Sequence, residues 1–340
     1  MPDPIDTWLA ACPDPARDPI QGMRQAGLLS EIPSYATIAQ RNAALVERTG
    51  LLGIASVWGG PQLVFRHFLT FGTDAQRAEW TGRALSVAIS EPNVGAHPKL
   101  LTTRAEAVEG GFRITGQKAW VSNGTSADAI VVFAITSEAD GRKRYSAFIV
   151  PRSAPGLITT DTPGFHALRP SQHCFLTLSD CFVPVSAMLG EPGLAYERMA
   201  LPFRDIEDAV GASATLGAIR HALGLLAGTA AAEQVPELGG IAGLTAVFAN
   251  CAAAVADALD AGAFRDGDAT LVGLRLLATD LTARLRTQAE VLASGDTVRD
   301  RLLECLGDLE AALAIARGPR IARQTRLGEA LARTGRTEAI

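Results

Sequence analysis

Two stretches of this sequence place small hydroxyl side chains at the ends of predicted strands. Residues 87–90, Val-Ala-Ile-Ser, form a short apolar run that ends in Ser90 and is followed by Glu-Pro. A later strand ends in Trp120-Val121-Ser122 and an Asn-Gly turn. Hydroxyls and backbone amides at strand ends donate hydrogen bonds, and an indole adds a flat apolar face. These two strand ends are therefore the first candidates for a binding site.

Three segments of different periodicity position these strand ends. Residues 1–84 are predicted to be helical, 85–195 to be strand-rich and 196–340 to be helical again. In the middle segment, residues 112–115 alternate, and 129–133 and 147–150 are typical of buried strands. In the last segment, leucines at 271, 274, 277, 281 and 285 predict a helix. Residues 294–297, Ser-Gly-Asp-Thr, predict a break that offers an N-cap for the next helix, and a later break is expected at residues 317–319.

Composition excludes several classes of protein. The 340 residues are 48% hydrophobic and 20% charged, as in an ordinary globular protein, and a net charge of −5 argues against a general nucleic-acid binder. Five scattered cysteines with no C-x-x-C spacing predict free thiols in a reducing cytoplasm rather than disulfides or a metal site. The N-terminus lacks a secretory signal, and the longest apolar run is too short for a membrane span, so we expect a soluble cytoplasmic protein.

The order of these motifs resembles the middle β-domain of the acyl-CoA dehydrogenases. Ser90-Glu91-Pro92, then 120–124 (Trp-Val-Ser-Asn-Gly), then 183–190 (Val-Pro to Leu-Gly) follow the family's sequence of signals. Residues 71–76, Phe-Gly-Thr-Asp-Ala-Gln, are similar to the G-T-x-x-Q element ahead of that domain. The resemblance implies an α+β fold: a shortened N-terminal helical domain (1–84), a middle β-barrel or sandwich domain (85–195) and a C-terminal helical bundle (196–340).

The resemblance also implies a set of ligand contacts. The two strand ends would hold the isoalloxazine ring of FAD, with contacts from seven residues: Val87, Ile89, Ser90, Ala96, Trp120, Val121 and Ser122. Ser90 and Ser122 replace threonines and keep the hydroxyl. Ala96 stands where the family has a serine near cofactor and substrate, and His97 replaces an aspartate.

The family reaction needs a carboxylate to remove the α-proton of an acyl-CoA thioester. Its Y-E-G-T phrase does not occur after residue 300, but residues 204–208, Arg-Asp-Ile-Glu-Asp, resemble the L-D-x-E-R phrase that opens the first bundle helix. Glu207 is then the expected base, and Asp205 and Asp208 are expected near substrate, with Asp208 replacing an arginine. An alternative alignment puts Glu197 there. Acidic residues in a first helical turn are also stabilised by the helix dipole, whatever else they do.

Two motifs that hold the ADP half of FAD in the family, R-x-x-F-G and Q-x-x-G-G-x-G, do not occur in this sequence. Three hypotheses follow. The chain is an active dehydrogenase subunit completed by a homologous partner, as in the α2β2 enzymes, several of which degrade steroid side chains. Otherwise it is a non-catalytic structural subunit, or a self-sufficient homologue that binds FAD weakly. An electron-transferring flavoprotein is a further possible partner.

Arginines recur every three residues near the C-terminus, at 317, 320, 323 and 326. Such a row could meet a phosphate or an acidic partner. The favoured interpretation is a row of solvated cations in the last turns of a helix.

Overall fold

The structure is a computed structural model that describes residues 6–8, 19–229, 231–264, 269–293 and 296–335. The first helices are α1 (Pro19–Gln25), α2 (Tyr35–Thr49), α3 (Gly53–Phe68) and α4 (Asp74–Trp80). The strands are β1 (Leu85–Ala88), β2 (Arg104–Val108), β3 (Gly111–Ser122), β4 (Ala129–Ala139), β5 (Arg142–Pro151), β6 (Leu157–Asp161), β7 (His173–Pro184) and β8 (Met188–Leu189). The last helices are α5 (Leu201–Ala227), α6 (Val235–Asp260), α7 (Ala269–Glu290), α8 (Thr297–Ala314) and α9 (Arg317–Thr334).

The strands form one eight-stranded mixed sheet in the order β6-β7-β3-β2-β4-β5-β8, with β1 paired to β4. The β1–β4 and β2–β4 pairs are parallel and the others are antiparallel. The runs predicted as strands lie inside β3, β4 and β5. Their alternate residues bury into one apolar core, which includes Ile114, Ile130, Val132, Phe148 and Val150. The expected α+β order of helices, strands and helices is confirmed.

The G-T-x-x-Q element has a clear structural role. Thr73 caps α4 in a capping box: its hydroxyl accepts from the Gln76 amide at 3.2 Å, and the Gln76 side chain accepts from the Thr73 amide at 2.8 Å. The Gln76 Nε2 also donates to the carbonyls of Ser186 and Met188, at 2.7 and 2.9 Å. This element therefore fastens α4 to the end of the sheet.

The chain divides into two compact units. The first contains residues 1–33 and 56–204, which include the whole sheet; the second contains residues 34–55 and 205–340, which include α2 and the bundle. The three unit boundaries fall between α1 and α2, inside α3 and inside α5. They therefore divide the chain differently from the three segments 1–84, 85–195 and 196–340. That three-domain division remains a prediction.

The bundle unit is built from the predicted leucine face and from one close helix contact. Leu271, Leu274, Leu281 and Leu285 of α7 are buried. Asp296 caps α8 and lies within the segment 294–297 that was expected to offer the cap. Gly217 of α5 packs so near to α2 that a Cβ there would lie 2.4 Å from the Ala43 carbonyl oxygen. Cys174, Cys181, Cys251 and Cys305 are free thiols, and Cys12 and residues 294–295 lie outside the described residues.

Two predicted helix boundaries are wrong. Glu207 does not lie in a first helical turn, because a π-helical segment, Tyr196–Ala200, runs directly into α5 and starts the helical backbone well before it. The dipole explanation for its position therefore fails. The break before the last helix lies at residues 315–316, where Ala316 has a φ of 52°, and Arg317 already begins α9. Pro319 fits there because early helical positions need no intrahelical N–H donor.

Two helical stretches, Tyr196–Ala227 and Ala232–Asp260, are long and apolar enough by composition to cross a membrane. The apolar window of the first is 61% buried within the protein, as in a core helix of a soluble protein. That of the second is 33% buried, so α6 carries a large exposed apolar face. Length and composition alone are weak grounds for a membrane span.

Candidate functional site

The two predicted strand ends lie side by side in the sheet unit. The Ala119 amide of β3 donates to the Ser90 carbonyl at 2.9 Å, and the Ser86 hydroxyl of β1 donates to the Ser122 carbonyl at 2.6 Å. Ser90 and Ser122 are half-buried, and among the described residues neither hydroxyl has a hydrogen-bond partner. Both side chains are therefore available to a ligand.

A buried ion pair holds the first strand end in place. Lys118 Nζ lies 3.0 Å from Glu91 Oε1 and donates to the Ile89 carbonyl at 3.1 Å, and the Lys118 and Glu91 side chains are only 0% and 5% exposed. Glu91 also accepts from the amide and hydroxyl of Thr102 and from the Thr103 amide, at 2.7 to 2.9 Å. The loop after β1 is thus tied to β3 and to the residues before β2.

These contacts shift both pKa values. Burial by itself raises the pKa of Glu91, but the charge of Lys118 and the hydrogen bonds from Thr103 and Thr102 outweigh it and bring the pKa to about 2. Burial lowers the pKa of Lys118 to about 8 against the opposing charge of Glu91. Glu91 is therefore a structural anion and does not serve as a proton acceptor near neutral pH.

Trp120 lies at a β-bulge. The register between β3 and β7 shifts between Lys118 and Val121, and Trp120 has a φ of 59°, which an aromatic residue rarely adopts. Its side chain is 50% exposed, so it is not a core aromatic. Phe165 contacts it edge-on, with ring centroids 5.4 Å apart. An exposed indole on strained backbone is typical of a functional position.

The Asn-Gly turn after Ser122 is held by side-chain hydrogen bonds. Asn123 has a φ of 56° and donates through Nδ2 to the Ser56 carbonyl at 3.0 Å. Its Oδ1 accepts from the Ser171 hydroxyl at 3.2 Å, and its amide donates to the Gln172 carbonyl at 2.7 Å. The turn therefore presents Ser122 from a fixed backbone.

His173 lies opposite Ser122 in the β3–β7 register. Burial, and then the charge of Arg169, lower the pKa of His173 to about 4, so the imidazole is neutral at physiological pH. Its Nδ1 is buried and has no partner among the described residues, and its ring meets Phe165 at 5.0 Å. No sequence pattern singled out this residue.

The loop that carries Ala96 and His97 is anchored by two tyrosines. Tyr196 donates to the Ala96 carbonyl at 2.6 Å, and Tyr145 donates to the Pro98 carbonyl. The two tyrosine rings lie 5.3 Å apart. Ala96 and His97 are exposed, while Val87, Ile89 and Ser90 are half-buried and Val121 is buried.

In the bundle unit, Glu207 has an exposed side chain with no hydrogen bond or ion pair to any described residue. Solvent reaches the side chain, yet the protein around it removes part of the hydration of the carboxylate. This desolvation, with the neighbouring charge of Asp208, raises the pKa of Glu207 to about 8, and Arg320 opposes the rise. A free carboxylate with a raised pKa is typical of a proton acceptor at a reaction site.

The two neighbouring aspartates are engaged inside the bundle unit. Asp208 Oδ1 lies 2.7 Å from Arg320 Nη2, Asp208 Oδ2 lies 3.3 Å from Arg323 Nη1, and Asp205 pairs with Arg323. The interpretation of the arginine row as solvated cations is therefore wrong for Arg320 and Arg323. Arg323 is 6% exposed, because α9 packs these side chains onto α5.

The sheet-unit residues fit a flavin ring. Reduced flavin needs hydrogen bonds at its ring nitrogens and carbonyls, and Ser90 and Ser122 carry free hydroxyls beside fixed strand-end amides. Trp120 exposes an indole next to them. Ala96 offers no hydroxyl, so the loop that carries it adds no side-chain donor.

Comparison with known proteins finds a match within the sheet. Residues 86–181 match the family model "Acyl-CoA dehydrogenase, middle domain". Over this segment the chain is similar to the acyl-CoA dehydrogenases. It is 34% identical over 167 residues to the mitochondrial isovaleryl-CoA dehydrogenase of Oryza sativa subsp. japonica, covering 47% of this chain and 41% of that relative. It is 34% identical over 161 residues to the human mitochondrial short-chain specific acyl-CoA dehydrogenase, covering 46% of this chain and 39% of the relative.

The alignments therefore span about two fifths of these curated acyl-CoA dehydrogenases. The fold is shared more widely. The butyryl-CoA dehydrogenase structure from Megasphaera elsdenii superposes with a TM-score of 0.81 at 18% identity, covering 98% of this chain and 99% of that one. The glutaryl-CoA dehydrogenase from Mycobacterium smegmatis gives 0.76 at 22% identity, covering 97% and 89%.

Sequence reasoning missed several contacts in each unit. In the sheet unit these are the Glu91–Lys118 pair, the tyrosine anchors and His173. In the bundle unit they are the arginines of α9 that pair with the two aspartates. Glu91 and Lys118 stood inside the quoted motifs, where an acidic and a basic residue in otherwise apolar strand sequence were a usable signal. Tyr196 and Arg320 join positions a hundred or more residues apart in sequence, and no local pattern indicates such contacts.

Proposed function

We propose that this chain is an FAD-dependent acyl-CoA dehydrogenase subunit that desaturates an acyl-CoA thioester between Cα and Cβ. The observation that carries the proposal is the pair of strand ends, where Trp120 is exposed beside the free hydroxyls of Ser90 and Ser122. The match of residues 86–181 to the family model supports it.

FAD, when bound, supplies the acceptor for the hydride that leaves Cβ. The chain's own residues bind and orient the ring. Ser90, Ser122 and the neighbouring amides donate hydrogen bonds at its edge, while Trp120 shields it from water. The Glu91–Lys118 pair and Asn123 keep these groups in fixed positions, so the donors need little reorganisation on binding.

Glu207 is the proposed base. Its ionised carboxylate would take the α-proton, and no described residue competes for that carboxylate. Because its pKa is raised to about 8, most of it is protonated at neutral pH, and the rate should increase as the pH rises towards that value. Asp205 and Asp208 were expected near the substrate, but both already pair with arginines of α9. If they help to bind acyl-CoA, they do so while these ion pairs stay formed.

We also propose that a homologous subunit completes the site, since this sequence lacks the motifs that hold the ADP half of FAD. The exposed face of α6 offers a surface for such a partner: between Glu237 and Asp257 it carries no charged residue. A steroid side chain or another bulky acyl group as substrate, an electron-transferring flavoprotein as electron acceptor, and a cytoplasmic location remain predictions.

Two alternatives remain open. A non-catalytic structural subunit is favoured by the engagement of Asp205 and Asp208 in ion pairs and by the loss of a hydroxyl at Ala96. A self-sufficient homologue that binds FAD weakly is favoured by the hydroxyls of Ser90 and Ser122, which have no partner among the described residues. Measurements of flavin content and turnover, on the chain alone and in complex with its partner, distinguish the catalytic subunit from these two alternatives.

The experiment is a flavin titration of the Trp120→Leu variant. Flavin fluorescence and absorbance are measured on the chain alone and on its complex with a co-expressed homologue that carries the ADP-binding motifs. The contact between the indole and the flavin ring, including the apolar area that it buries, is worth about 1.5 kcal/mol. Its loss should therefore weaken flavin binding roughly tenfold. Phe182→Leu is the matched control, because Phe182 is also an exposed aromatic of this sheet but lies at the far end of the β3–β7 pair. Equal effects of the two substitutions on flavin binding would contradict the proposal that the two strand ends hold the flavin ring.

A further inference from the structure

A cluster of ion pairs joins α9 to the part of α5 that carries Glu207. Arg320 donates to Asp208 Oδ1 through both Nε and Nη2, at 3.2 and 2.7 Å, and Arg323 donates to Asp208 Oδ2 at 3.3 Å. Arg323 also pairs with Asp205. Asp208 follows Glu207 directly and Asp205 precedes it by two positions, so the segment on each side of the proposed base is held by the last helix.

The cluster is more than a surface feature. The side chains of Asp205 and Arg323 are almost fully buried, and those of Asp208 and Arg320 are mostly buried. Buried charges are costly unless their partners remain in place, so either aspartate would be left uncompensated if α9 moved away. A planar guanidinium that bonds two carboxylates also limits how far they can move relative to each other. The backbone around Glu207 therefore depends on the docking of α9.

We propose that Arg320 and Arg323 of α9 are positioning residues for Glu207, with Arg323 anchoring that segment of α5 and Arg320 supplying the cation beside the carboxylate. The proposal rests on the assignment of Glu207 as the base. It gives the C-terminal helix a role in the proposed reaction although α9 contributes no group that touches the reacting atoms.

The charges around Glu207 come from three elements. Arg204, Asp205 and Asp208 lie within a turn of it on α5; Arg317, Arg320 and Arg323 come from α9; and Arg275 comes from α7. Arg275 belongs to the same cluster, since its pKa is lowered by burial and by Arg320 and is raised by Asp208. It donates to the Leu313 carbonyl near the end of α8, just before α9 begins.

Asp208 and Arg320 have opposite effects on the pKa of Glu207. Asp208 disfavours the ionised form of Glu207 and Arg320 favours it. Removing Arg320 should therefore raise the pKa of Glu207, and removing Asp208 should lower it. Since the pKa of Glu207 is already about 8, each further unit upwards reduces the ionised fraction at neutral pH about tenfold.

The test is the pKa of Glu207 measured directly by carboxyl-carbon NMR in the full chain labelled at glutamate, with Glu207→Gln to assign the signal. Arg320→Gln should shift the titration to higher pH and Asp208→Asn to lower pH. The matched control is Arg326→Gln, because Arg326 is an exposed arginine of the same helix with no partner among the described residues. It should leave the titration unchanged.

This measurement does not need turnover, so it separates failure of the positioning role from failure of the proposed function. Equal titrations for wild type, Arg320→Gln and Arg326→Gln would overturn the positioning role. In a flavin-loaded complex that does turn over, Arg320→Gln should also move the acid limb of the kcat/KM profile to higher pH.

Arg323 is tested through rescue, because Arg323→Met alone leaves the buried Asp205 carboxylate uncompensated and destabilises the bundle. Adding Asp205→Asn to Arg323→Met removes the uncompensated carboxylate and should recover most of the lost melting temperature. A double variant as unstable as the single one would show that the Asp205–Arg323 pair does not anchor this segment.

Discussion

The ion pair between Glu91 and Lys118 gives the sharpest prediction about stability. Lys118→Met keeps the length and apolar character of the side chain but removes the cation 3.0 Å from a carboxylate that is 5% exposed. Breaking a buried pair from one side costs about 3–5 kcal/mol, because the remaining charge is left uncompensated. Three hydrogen bonds from Thr102 and Thr103 still reach Glu91, so we expect the lower half of that range.

The assay is thermal unfolding followed by circular dichroism, with chemical denaturation for the free energy. At roughly 2–4 °C per kcal/mol, the sheet unit of Lys118→Met should melt about 6–16 °C earlier. Arg113→Met is the matched control, since Arg113 lies on the same strand and pairs with Asp180 at 2.6 Å on the surface. An exposed pair of that kind is worth about 0.2–1 kcal/mol.

The pH dependence adds a second, independent test. In wild type, the pKa of Glu91 is lowered from 4.5 to about 2, so its stabilising contribution is fully present above 4.5 and is lost as the pH falls through about 2. Without Lys118, burial should raise the pKa of Glu91. Acidification would then protonate Glu91 and remove the uncompensated buried charge that destabilises the variant. The deficit of Lys118→Met relative to wild type should therefore shrink between neutral pH and pH 4. A deficit no larger than that of Arg113→Met, or one independent of pH, would refute this reasoning.

Two further predictions concern the bundle unit and are checked by denaturant unfolding. Gly217→Ala should destabilise by about 1–3 kcal/mol, because the new Cβ would meet the Ala43 carbonyl oxygen at 2.4 Å, whereas Gly224→Ala on the same helix meets nothing within 4 Å and should stabilise by about 0.5–1 kcal/mol. If both substitutions stabilise, the close approach of α2 and α5 is wrong. Asp296→Ala should cost about 1 kcal/mol by removing the acceptor of the Val298 amide, and Asp296→Asn should cost much less; equal losses would exclude the cap as the cause.

Much of the fold could be predicted from local sequence pattern. Alternation and apolar runs marked the cores of β3, β4 and β5, and the leucine spacing marked the buried face of α7. The segment 294–297 was recognisable as the place of an N-cap because a cap is a property of three or four consecutive residues, and the structure identifies Asp296 as the capping residue. The resemblance at 86–124 then implied that the two strand ends serve one ligand, which periodicity alone does not supply.

The remainder depended on tertiary contacts. The exposure of Trp120 follows from a bulge in the β3–β7 pairing, and alternation within β3 does not reveal a shift of register with another strand. The π-helical start of the first long helix moved Glu207 out of the first turn, and no sequence signal marks such a segment. Arg320 pairs with Asp208, which lies 112 positions earlier in the sequence. Local pattern cannot reveal such a contact, and Arg320 was therefore predicted to be a solvent-exposed cation.

The central claim, that this chain is a catalytic acyl-CoA dehydrogenase subunit with Glu207 as its base, is tested most directly by anaerobic reduction of bound flavin. Isovaleryl-CoA and longer acyl-CoA thioesters are mixed with the flavin-loaded complex, and bleaching of the flavin's visible absorbance is followed in time. Wild type and the matched control Glu197→Gln should bleach at the same rate, while Glu207→Gln should be slower by roughly 10²–10⁴-fold with unchanged flavin content. Equal rates in all three proteins would contradict the account and assign catalysis to the partner subunit.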